Sequence, residues 1–408
     1  VPHGPETIRV ARSIAEKGEF ANPFAALDTG PSAHVAPAFP ALLALLIRLF
    51  GDGTTGMYAI QLAAAIVLSL QLALFPVFSR ALGMGELNGI IAASIWIAAR
   101  AGWTWGLEAE YAAILLAIAV CCFRSYLDSS SSGSSRLVWL LGCVIGVLLL
   151  TSPSVSIILV GFVGLLLWKD KLAIWKRSNL LLIILLPAVI VAPWTIRNFL
   201  VFHRLIPIRD DFGLELALSN SDCAQYQMVK NFNPCYRHPD ADIEEAKKVL
   251  THGEAGYNEL KLREALYWIE GHPFIFFKLC VERFVAFWKP PAANGPWWSV
   301  LGPNTYWERE RFEGRLLERI AILAMTVLSV PGLFMLFRRD SVSAWLCLMC
   351  LGLYPLAYYL IQFTIRYRYP ILWVTFLLGS LPITAFVRAT CNSVYAKLRK
   401  HRTVAISD

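Results

Sequence analysis

Long, uncharged blocks of apolar residues constrain this chain more than any other feature of its sequence. The block at 180–192 carries no charged side chain, and comparable blocks recur along most of the 408 residues, 57% of which are hydrophobic. Only helices and closed barrels span a bilayer, because every backbone polar group there must be paired within the protein. The alternating pattern of barrel strands does not occur in these blocks. The sequence therefore predicts an all-α polytopic membrane protein.

The number of apolar blocks predicts about nine transmembrane helices. Two of the blocks are short and meet at Thr151, Ser152 and Pro153, a spacing that suits a tight helical hairpin. The predicted spans are 57–79, 87–103, 110–127, 136–152, 154–168, 179–199, 317–337, 341–362 and 367–388.

The charge of the loops predicts the orientation in the membrane. Lys and Arg collect in alternate loops and in the C-terminal tail, whereas the loops at 104–109 and 152–154 contain neither. Because positively charged loops stay in the cytoplasm, we expect the two long polar segments on the outer face, which is the periplasm for a bacterial inner membrane. This topology also accounts for the net charge of +8, which therefore does not indicate nucleic-acid binding.

The topology divides the chain into five regions. They are a first outer loop with two juxtamembrane helices (1–56), a transmembrane core (57–199), an extracytoplasmic segment (200–316), C-terminal transmembrane helices (317–388) and a basic cytoplasmic tail (389–408). Within the outer regions, apolar residues at helical spacing predict several further helices. These helices are 5–16, ending at Gly18, then 38–50, 242–250, 258–273 and 273–291. Cys223 and Cys235 are compatible with a disulfide if their segment is extracytoplasmic.

Three arginines stand at the outer ends of predicted helices. Arg197 lies in "PWTIRNF", and Arg366 and Arg368 lie in "TIRYRYP". One explanation is that they anchor helix ends to lipid headgroups. The other is that they converge on an anion, since guanidinium groups bind phosphate through charge-assisted and often bidentate hydrogen bonds. At the outer leaflet, such a phosphate would most naturally belong to a lipid.

Acids and one histidine on the same face are candidates for chemistry. Glu6 begins the first outer helix, and Glu108 and Glu110 lie in "WTWGLEAEY" at the outer end of an apolar hairpin. A carboxylate in these places could act as a general base on an acceptor hydroxyl, bind Mg²⁺ or Mn²⁺, or simply end a helix or loop in solvent. His34, in a turn rich in Pro and Gly, could bind a metal or a phosphate, or have a structural role.

Several motifs, in their order along the chain, resemble one family. They are "ETIRVARSIAEKGEFANPF", "TGPSAHVAPAFPALLALLIRLFG", "PWTIRNFLVFHRLIPIRDDFGLELALSN", "REALYWIEGHPFIFFKLCVERFVAFW" and "RYRYPI". The ordered set resembles the polyprenyl-phosphate-dependent glycosyltransferases of the type-C fold, which include protein O-mannosyltransferases and the aminoarabinose transferase of lipid A. In that family a first transmembrane helix precedes the first outer loop, so we expect one before Val1.

The resemblance implies an activity and its partners. The chain would move a sugar from a polyprenyl-phosphate-linked donor lipid to an acceptor hydroxyl on the extracytoplasmic side, with a glycan, a lipid or a protein as the acceptor. A divalent cation, Mg²⁺ or Mn²⁺, is the candidate cofactor, and His34 is a candidate ligand. Arg197, Arg366 and Arg368 would bind the lipid phosphate.

The resemblance also assigns the catalytic acids by position. Glu6 takes the place of the catalytic acid in the first outer loop, although it follows Pro5 instead of completing the Asp-Glu pair that is frequent in the family. A second acid would be Glu108 or Glu110. Two other functions stay open: a transporter or flippase of a lipid-linked sugar, and an inactive glycosyltransferase-like scaffold. A transporter would place charges at the bilayer midplane, where the apolar blocks have few.

Overall fold

The computed structural model describes residues 6–99, 108–128, 134–170, 174–231, 236–289 and 316–404. In these ranges the secondary structure is helical, apart from two isolated β-bridges, Ala21 with Pro31 and Gln227 with Phe363. The α-helices are α1 Glu6–Lys17, α2 Ala38–Phe50, α3 Thr54–Ala73, α4 Phe75–Ala81, α5 Glu86–Ala99, α6 Glu108–Asp128, α7 Ser134–Thr151, α8 Ser156–Asp170, α9 Ile174–Phe202, α10 Phe212–Ser219, α11 Met228–Asn231, α12 Ile243–His252, α13 Glu254–Gly271, α14 Pro273–Trp288, α15 Leu316–Arg339, α16 Ser341–Leu353 and α17 Tyr369–Val404. Short 3₁₀ turns lie at Pro153–Val155, Tyr354–Tyr359 and Ile365–Arg368. The all-α prediction is confirmed for the described residues.

Six helical stretches are long and apolar enough to cross a membrane. They are Thr54–Ala73, Glu108–Asp128, Leu181–Phe202, Glu318–Arg339, Ser341–Tyr359 and Arg366–Val394. Three other predicted spans correspond to the shorter helices Glu86–Ala99, Arg136–Thr151 and Pro153–Leu167. A helix of about 15 residues rises only about 22 Å, less than the roughly 30 Å of a hydrocarbon core. The integral membrane character is confirmed, whereas the count of nine spans is not confirmed in the described residues.

Helix α17 lies at the centre of the bundle. Every residue from 368 to 381 is buried, and the helix packs against α5, α6, α15 and α16. A helix that is apolar on all sides is expected in such a position. Two of its polar side chains are paired with one residue: Asn88 of α5 donates to the carbonyl of Leu377 (2.9 Å) and accepts from Ser380 (2.9 Å) and Thr384 (3.0 Å). The "RYRYP" motif therefore leads directly into the most buried helix described.

The first outer segment folds into the two predicted helices. Gly18, with a φ of +74°, ends α1 and donates to the carbonyl of Ile14 at 3.0 Å. From α2, Arg48 donates to the last carbonyls of α1, those of Ile14 (2.8 Å) and Ala15 (3.1 Å). Ala11 of α1 packs with Leu43 of α2 in a small apolar core. The pair α1–α2 is thus joined by both packing and helix capping.

The second outer segment contains the predicted helices as α12, α13 and α14. Arg283 of α14 is fully buried and donates to Asn220 Oδ1 (3.1 Å), to the carbonyl of Leu360 (2.8 Å) and to the carbonyl of Ser219. It thereby joins the end of α10 to the 3₁₀ turn that follows α16. Cys223 is disulfide-bonded, and Cys235, its expected partner, lies outside the described residues.

The short helices α7 and α8 do not form the predicted tight hairpin. The chain does break at Thr151 to Pro153, but α7 packs along α6 and α9, whereas α8 packs against α16. The two helices diverge from the break because Pro153 begins a 3₁₀ turn that redirects the chain. A cavity bounded by α7, α8 and α9 occupies the space between them.

Close packing of α15 on α17 depends on Gly332. A Cβ atom at this position would lie 1.9 Å from the carbonyl oxygen of Leu378, a backbone atom that cannot move aside. Small residues allow helix backbones to approach closely in membranes. We expect Gly332→Ala to lower the thermal melting temperature in detergent, at a cost of about 1–3 kcal/mol. Gly352→Ala, in open space on α16, is the control and should melt like the wild type; equal melting of both variants would contradict the assigned contact.

Candidate active site

Six residues from three distant parts of the chain are linked by three close contacts and by electrostatic interactions into one group, which we call the polar ring. Its members are Glu6, His238, Tyr236, Glu215, Tyr367 and Arg366. Four of these residues were not singled out as site residues by the sequence, because nothing in "YRHPD", in α10 or in the tyrosine of "RYRYP" indicates what lies opposite in the fold.

One half of the polar ring joins α1 to the loop after residue 235. Glu6 Oε1 lies 3.7 Å from His238 Nε2. The His238 ring stacks on Tyr236, with centroids 5.8 Å apart and planes 8° apart. Burial raises the pKa of the Tyr236 hydroxyl, and the nearby carboxylates of Glu215 and Glu6 raise it further. Tyr236 therefore stays protonated between two acids.

The other half of the polar ring comes from α10 and the "RYRYP" motif. Glu215 lies within electrostatic range of Tyr367. The guanidinium carbon of Arg366 is 5.5 Å from the centroid of the Tyr367 ring and lies within electrostatic range of Glu6. Of the three arginines that the sequence suggested for the phosphate, Arg366 is therefore the one that lies within electrostatic range of Glu6, the predicted catalytic acid.

The carboxylate of Glu6 is partly buried and is surrounded by histidine and arginine side chains. Burial would raise its pKa, but interactions with His238 and His34, and with the guanidinium groups of Arg9 and Arg366, hold it well below the ordinary value. Burial lowers the pKa of His34 to about 3, so this imidazole is neutral at physiological pH. Glu6 is therefore an ionised proton acceptor at the edge of the polar ring.

Glu6, His34 and His238 also have the composition of a cation site, since one ligand atom of each lies within 4.8 Å of the others. His34 fits this role, because its buried Nδ1 has no hydrogen-bond partner in the described structure. His238 does not, because its Nδ1 accepts a hydrogen bond from the backbone of Asp240 (3.0 Å). That bond puts the proton of the neutral ring on Nε2, which then faces Glu6 as a donor. In this arrangement the three residues fit a carboxylate base beside imidazole groups, with His238 Nε2 at 3.7 Å, better than a three-ligand metal site.

Arg197 holds the first outer loop in place. Its Nη1 donates to the carbonyl of Ser32 (2.7 Å) and its Nη2 to the carbonyl of Phe20 (2.9 Å). The guanidinium carbon lies 4.9 Å from the centroid of the Trp194 ring. These donors are committed to protein groups, so the position of Arg197 explains how the loop carrying His34 is fixed.

Arg368 is likewise engaged with the protein interior. It is 3% exposed, and its Nη1 donates to the carbonyls of Phe287 (3.2 Å) and Trp288 (3.1 Å) at the end of α14. Its Nη2 donates to Thr326 Oγ1 at 2.5 Å. A cation at the carbonyl end of a helix is favourable. Arg368 therefore joins α14 and α15 to the start of α17.

The acids of "WTWGLEAEY" lie in the first turn of α6. Glu108 begins the helix and is within electrostatic range of Tyr354 and Tyr358. Glu110 is 1% exposed and faces Tyr369 at the start of α17. The preceding residues 100–107, including the two tryptophans of this motif, lie outside the described residues.

An apolar cavity of about 720 Å³ lies between α7, α8 and α9. Its walls include Leu149, Val160 and Ile184, and Arg209 lies at the part of the wall formed by the segment after α9. Val160 and Ile184 are also 71% and 47% exposed on the outer surface of the helices. The cavity is therefore open toward the side of the bundle that would contact lipid.

The apolar cavity and the polar ring are linked by a short chain of contacts. Tyr358 donates to Ser154 Oγ at 2.7 Å, and Ser154 lies between the cavity residues Pro153 and Ser156. The Tyr358 ring stacks on Tyr367 of the polar ring, with centroids 4.4 Å apart. Arg209 is within electrostatic range of both Tyr358 and His34. Sequence reasoning missed Arg209, although it stands in a motif that carries the family resemblance.

A buried carboxyl group fastens the loop of His34 to α13. Glu254, 5% exposed, accepts a hydrogen bond from the backbone of Ala33 at 2.6 Å, and the Ala33 carbonyl accepts from the backbone of Asp210 at 2.9 Å. Burial raises the pKa of Glu254 to about 7, and that of Asp210 to about 6. Glu254 therefore titrates near physiological pH.

Comparisons with known proteins support the fold. No family model matches the sequence, and no curated protein matches it. Among solved structures, the chain is similar to the archaeal oligosaccharyltransferase AglB from Archaeoglobus fulgidus, in complex with an inhibitory peptide and a dolichol-phosphate. The TM-score is 0.53 at 15% sequence identity, over 96% of this chain and 48% of that chain. The chain thus spans about half the length of its structural relative and shares its fold, a type-C glycosyltransferase fold.

The raised pKa of Glu254 predicts a pH-dependent stability. Folding favours the protonated carboxyl. Its contribution to the free energy of unfolding is therefore complete below about pH 4.5, the ordinary pKa, and is lost as the pH rises to about 7. The loss is at most about 3 kcal/mol. Melting temperatures measured from pH 5 to pH 8 should fall less for Glu254→Gln than for the wild type. The control is Glu259→Gln, an exposed acid on the same helix, which should keep the wild-type slope; an unchanged slope in Glu254→Gln would disprove the assignment.

Proposed function

We propose that this chain is a membrane glycosyltransferase that moves a sugar from a polyprenyl-phosphate-linked donor to an acceptor hydroxyl on the extracytoplasmic side. One observation carries the proposal: an apolar cavity open toward lipid ends at Arg209 and is linked through Tyr358 to the polar ring with Glu6. This order of apolar, cationic and acidic groups matches the order of tail, phosphate and reacting sugar in such a donor. The dolichol-phosphate in the structure of the archaeal relative is consistent with it.

The donor would bind with its first isoprene units in the apolar cavity and its phosphate near Arg209 and Arg366. Arg366 lies within electrostatic range of Glu6, and Arg209 lies within electrostatic range of His34. Arg209 is paired with the carboxylate of Asp211 at the protein surface, and the phosphate would share or replace that ion pair. Arg197 and Arg368, which the sequence suggested for the phosphate, are engaged with protein carbonyls instead. The proposal therefore assigns them to hold the loop and the helices that position the site.

The reaction would be a displacement at the anomeric carbon of the sugar. The acceptor oxygen forms a bond to that carbon as the bond to the phosphate oxygen breaks. Glu6 takes the proton of the acceptor hydroxyl, and the leaving phosphate keeps the electron pair, its charge stabilised by Arg366 and Arg209. His238 would orient Glu6 through Nε2. The second predicted acid, Glu108 or Glu110, supports the site from the first turn of α6 and takes no step of its own. No step is assigned to a metal ion.

Glu6→Gln tests the assigned base. The amide keeps the shape but accepts no proton, so we expect sugar transfer from a labelled polyprenyl-phosphate-sugar panel to fall by about 10²- to 10⁴-fold. Donor binding should change little, because the phosphate contacts remain. Glu16→Gln, an exposed acid on the same helix, is the matched control. Transfer that persists in Glu6→Gln would remove this residue as the base. A wild type that binds donor without any turnover would indicate the inactive scaffold, and movement of intact donor across vesicles would indicate the flippase.

Arg209→Gln tests the phosphate site independently of the acceptor. The probe is undecaprenyl phosphate, titrated into the protein in lipid nanodiscs. Loss of one charge-assisted contact is worth about 1.5–3 kcal/mol, so the affinity should weaken by roughly 10- to 100-fold. Arg204→Gln, which removes an exposed arginine paired with Glu259, should bind like the wild type. Equal affinities of the two variants would refute the placement of the phosphate.

A further inference from the structure

Glu215 is an acid of the polar ring that the proposed reaction does not use. It lies in the first turn of α10, and its Oε2 atom is buried with no hydrogen-bond partner among the described residues. No ion pair of the described residues includes it. Leaving a buried charged acceptor unpaired costs at least about 1–3 kcal/mol, and such groups call for an explanation. A ligand that donates hydrogen bonds would satisfy this oxygen.

The carboxylate of Glu215 stands on a rigid support. Ser219 donates to the carbonyl of Glu215 at 2.6 Å and accepts from the backbone of Gln362 at 2.8 Å. The backbone of Leu214 donates to Asn258 Oδ1 of α13 at 3.2 Å, and Gly213 packs directly on the Asn258 carbonyl. The position of α10 is therefore fixed on two sides, which is what a selective binding group requires.

The surroundings of Glu215 differ from those of Glu6. Glu6 faces His238, Arg9 and Arg366, whereas Glu215 is in electrostatic contact with the phenol groups of Tyr236 and Tyr367. An anion would be repelled by Glu215, which excludes a second phosphate position. A neutral molecule with hydroxyl donors fits, because the carboxylate accepts its hydrogen bonds and the two phenol groups can donate or accept others.

The position of Glu215 relative to Arg366 identifies that molecule. Arg366 and Tyr367 are adjacent, and Glu215 lies within electrostatic range of Tyr367; the helix of Glu215 also contacts the segment that leads to Arg366, because the backbone of Gln362 donates to Ser219 at 2.8 Å. The first group bonded to a phosphate held at Arg366 is the sugar of the donor. We infer that Glu215, together with Tyr236 and Tyr367, binds hydroxyl groups of the transferred sugar and selects among donors by them. The inference rests on the proposed function and assigns Glu215 as a specificity-determining residue rather than as a base.

Two lipid probes distinguish a role of Glu215 in binding the sugar from a role in the fold or in binding the phosphate. The probes are undecaprenyl phosphate and the same lipid phosphate carrying a neutral hexose, each titrated into the full chain in nanodiscs. For Glu215→Ala we expect at least tenfold weaker binding of the sugar-bearing lipid and unchanged binding of the bare lipid phosphate. Glu215→Gln keeps the shape and one acceptor oxygen, so its affinity for the sugar-bearing lipid should lie between those of the wild type and Glu215→Ala. This variant should also alter the order of preference among donors with different hydroxyl positions. Glu270→Ala, an exposed acid on α13, should match the wild type.

Each other outcome is decisive. An equal loss for both lipids would overturn the inference, because Glu215 would then act on the fold or on the phosphate. No loss for either lipid in both Glu215 variants would also overturn it and would leave the buried oxygen to a water molecule. If the wild type binds neither lipid, the proposed function fails first, and the inference fails with it; binding of the bare lipid phosphate by the wild type distinguishes the two failures.

Discussion

The arrangement of the site depends on how the segment from Phe20 to His34 is fastened to the rest of the protein. This segment has little regular structure, so its position comes from external hydrogen bonds. Arg197 holds the carbonyls of Phe20 and Ser32 from α9, and Glu254 holds the backbone of Ala33 from α13. Buried backbone groups that lose such partners are costly. Because His34 lies at one end of this segment and α1, which carries Glu6, precedes the other, these contacts hold His34 and Glu6 in their relative positions.

The sequence predicted the parts of the structure that depend on local pattern. Helices α1 and α2 follow from their apolar spacing, with Gly18 as the stop, and the composition identified the membrane helices. Glu6, His34 and Arg366 were singled out because each is a polar group in a motif that carries the resemblance, and the structure places His34 and Arg366 within electrostatic range of Glu6. The partners of Arg197 and the roles of His238 and Glu215 were not found, since a guanidinium that binds a lipid and one that binds a loop carbonyl look alike in sequence. The count of nine spans stays a prediction, because hydropathy alone does not measure helix length and three of the apolar blocks form helices shorter than 18 residues.

The proximity of an apolar cavity and a polar ring restricts which ligands can use both. A fully apolar molecule gains nothing from Glu6, Arg366 and Glu215, and a soluble sugar phosphate gains nothing from the walls of the cavity. Burial of apolar surface contributes about 25 cal/mol per Å², so a few isoprene units of the proposed donor would gain much of their binding energy in the cavity. The polar ring can then act mainly on orientation and selectivity. Arg209, at the junction, lies where the two kinds of interaction meet.

The lowered pKa of Glu6 is compatible with the proposed role as a base once the charge of the proposed donor is considered. Without donor, Arg366 and the facing histidines stabilise the ionised carboxylate, which keeps it deprotonated but makes it a weak base. A phosphate bound near Arg366 would neutralise part of this positive field, so the pKa of Glu6 would rise as the donor binds. In the proposed displacement, the proton of the acceptor hydroxyl would become acidic only as its oxygen bonds to the anomeric carbon. Binding of a charged donor would therefore strengthen the base at the stage when a base is needed, and an uncharged lipid in the same cavity would leave Glu6 weak.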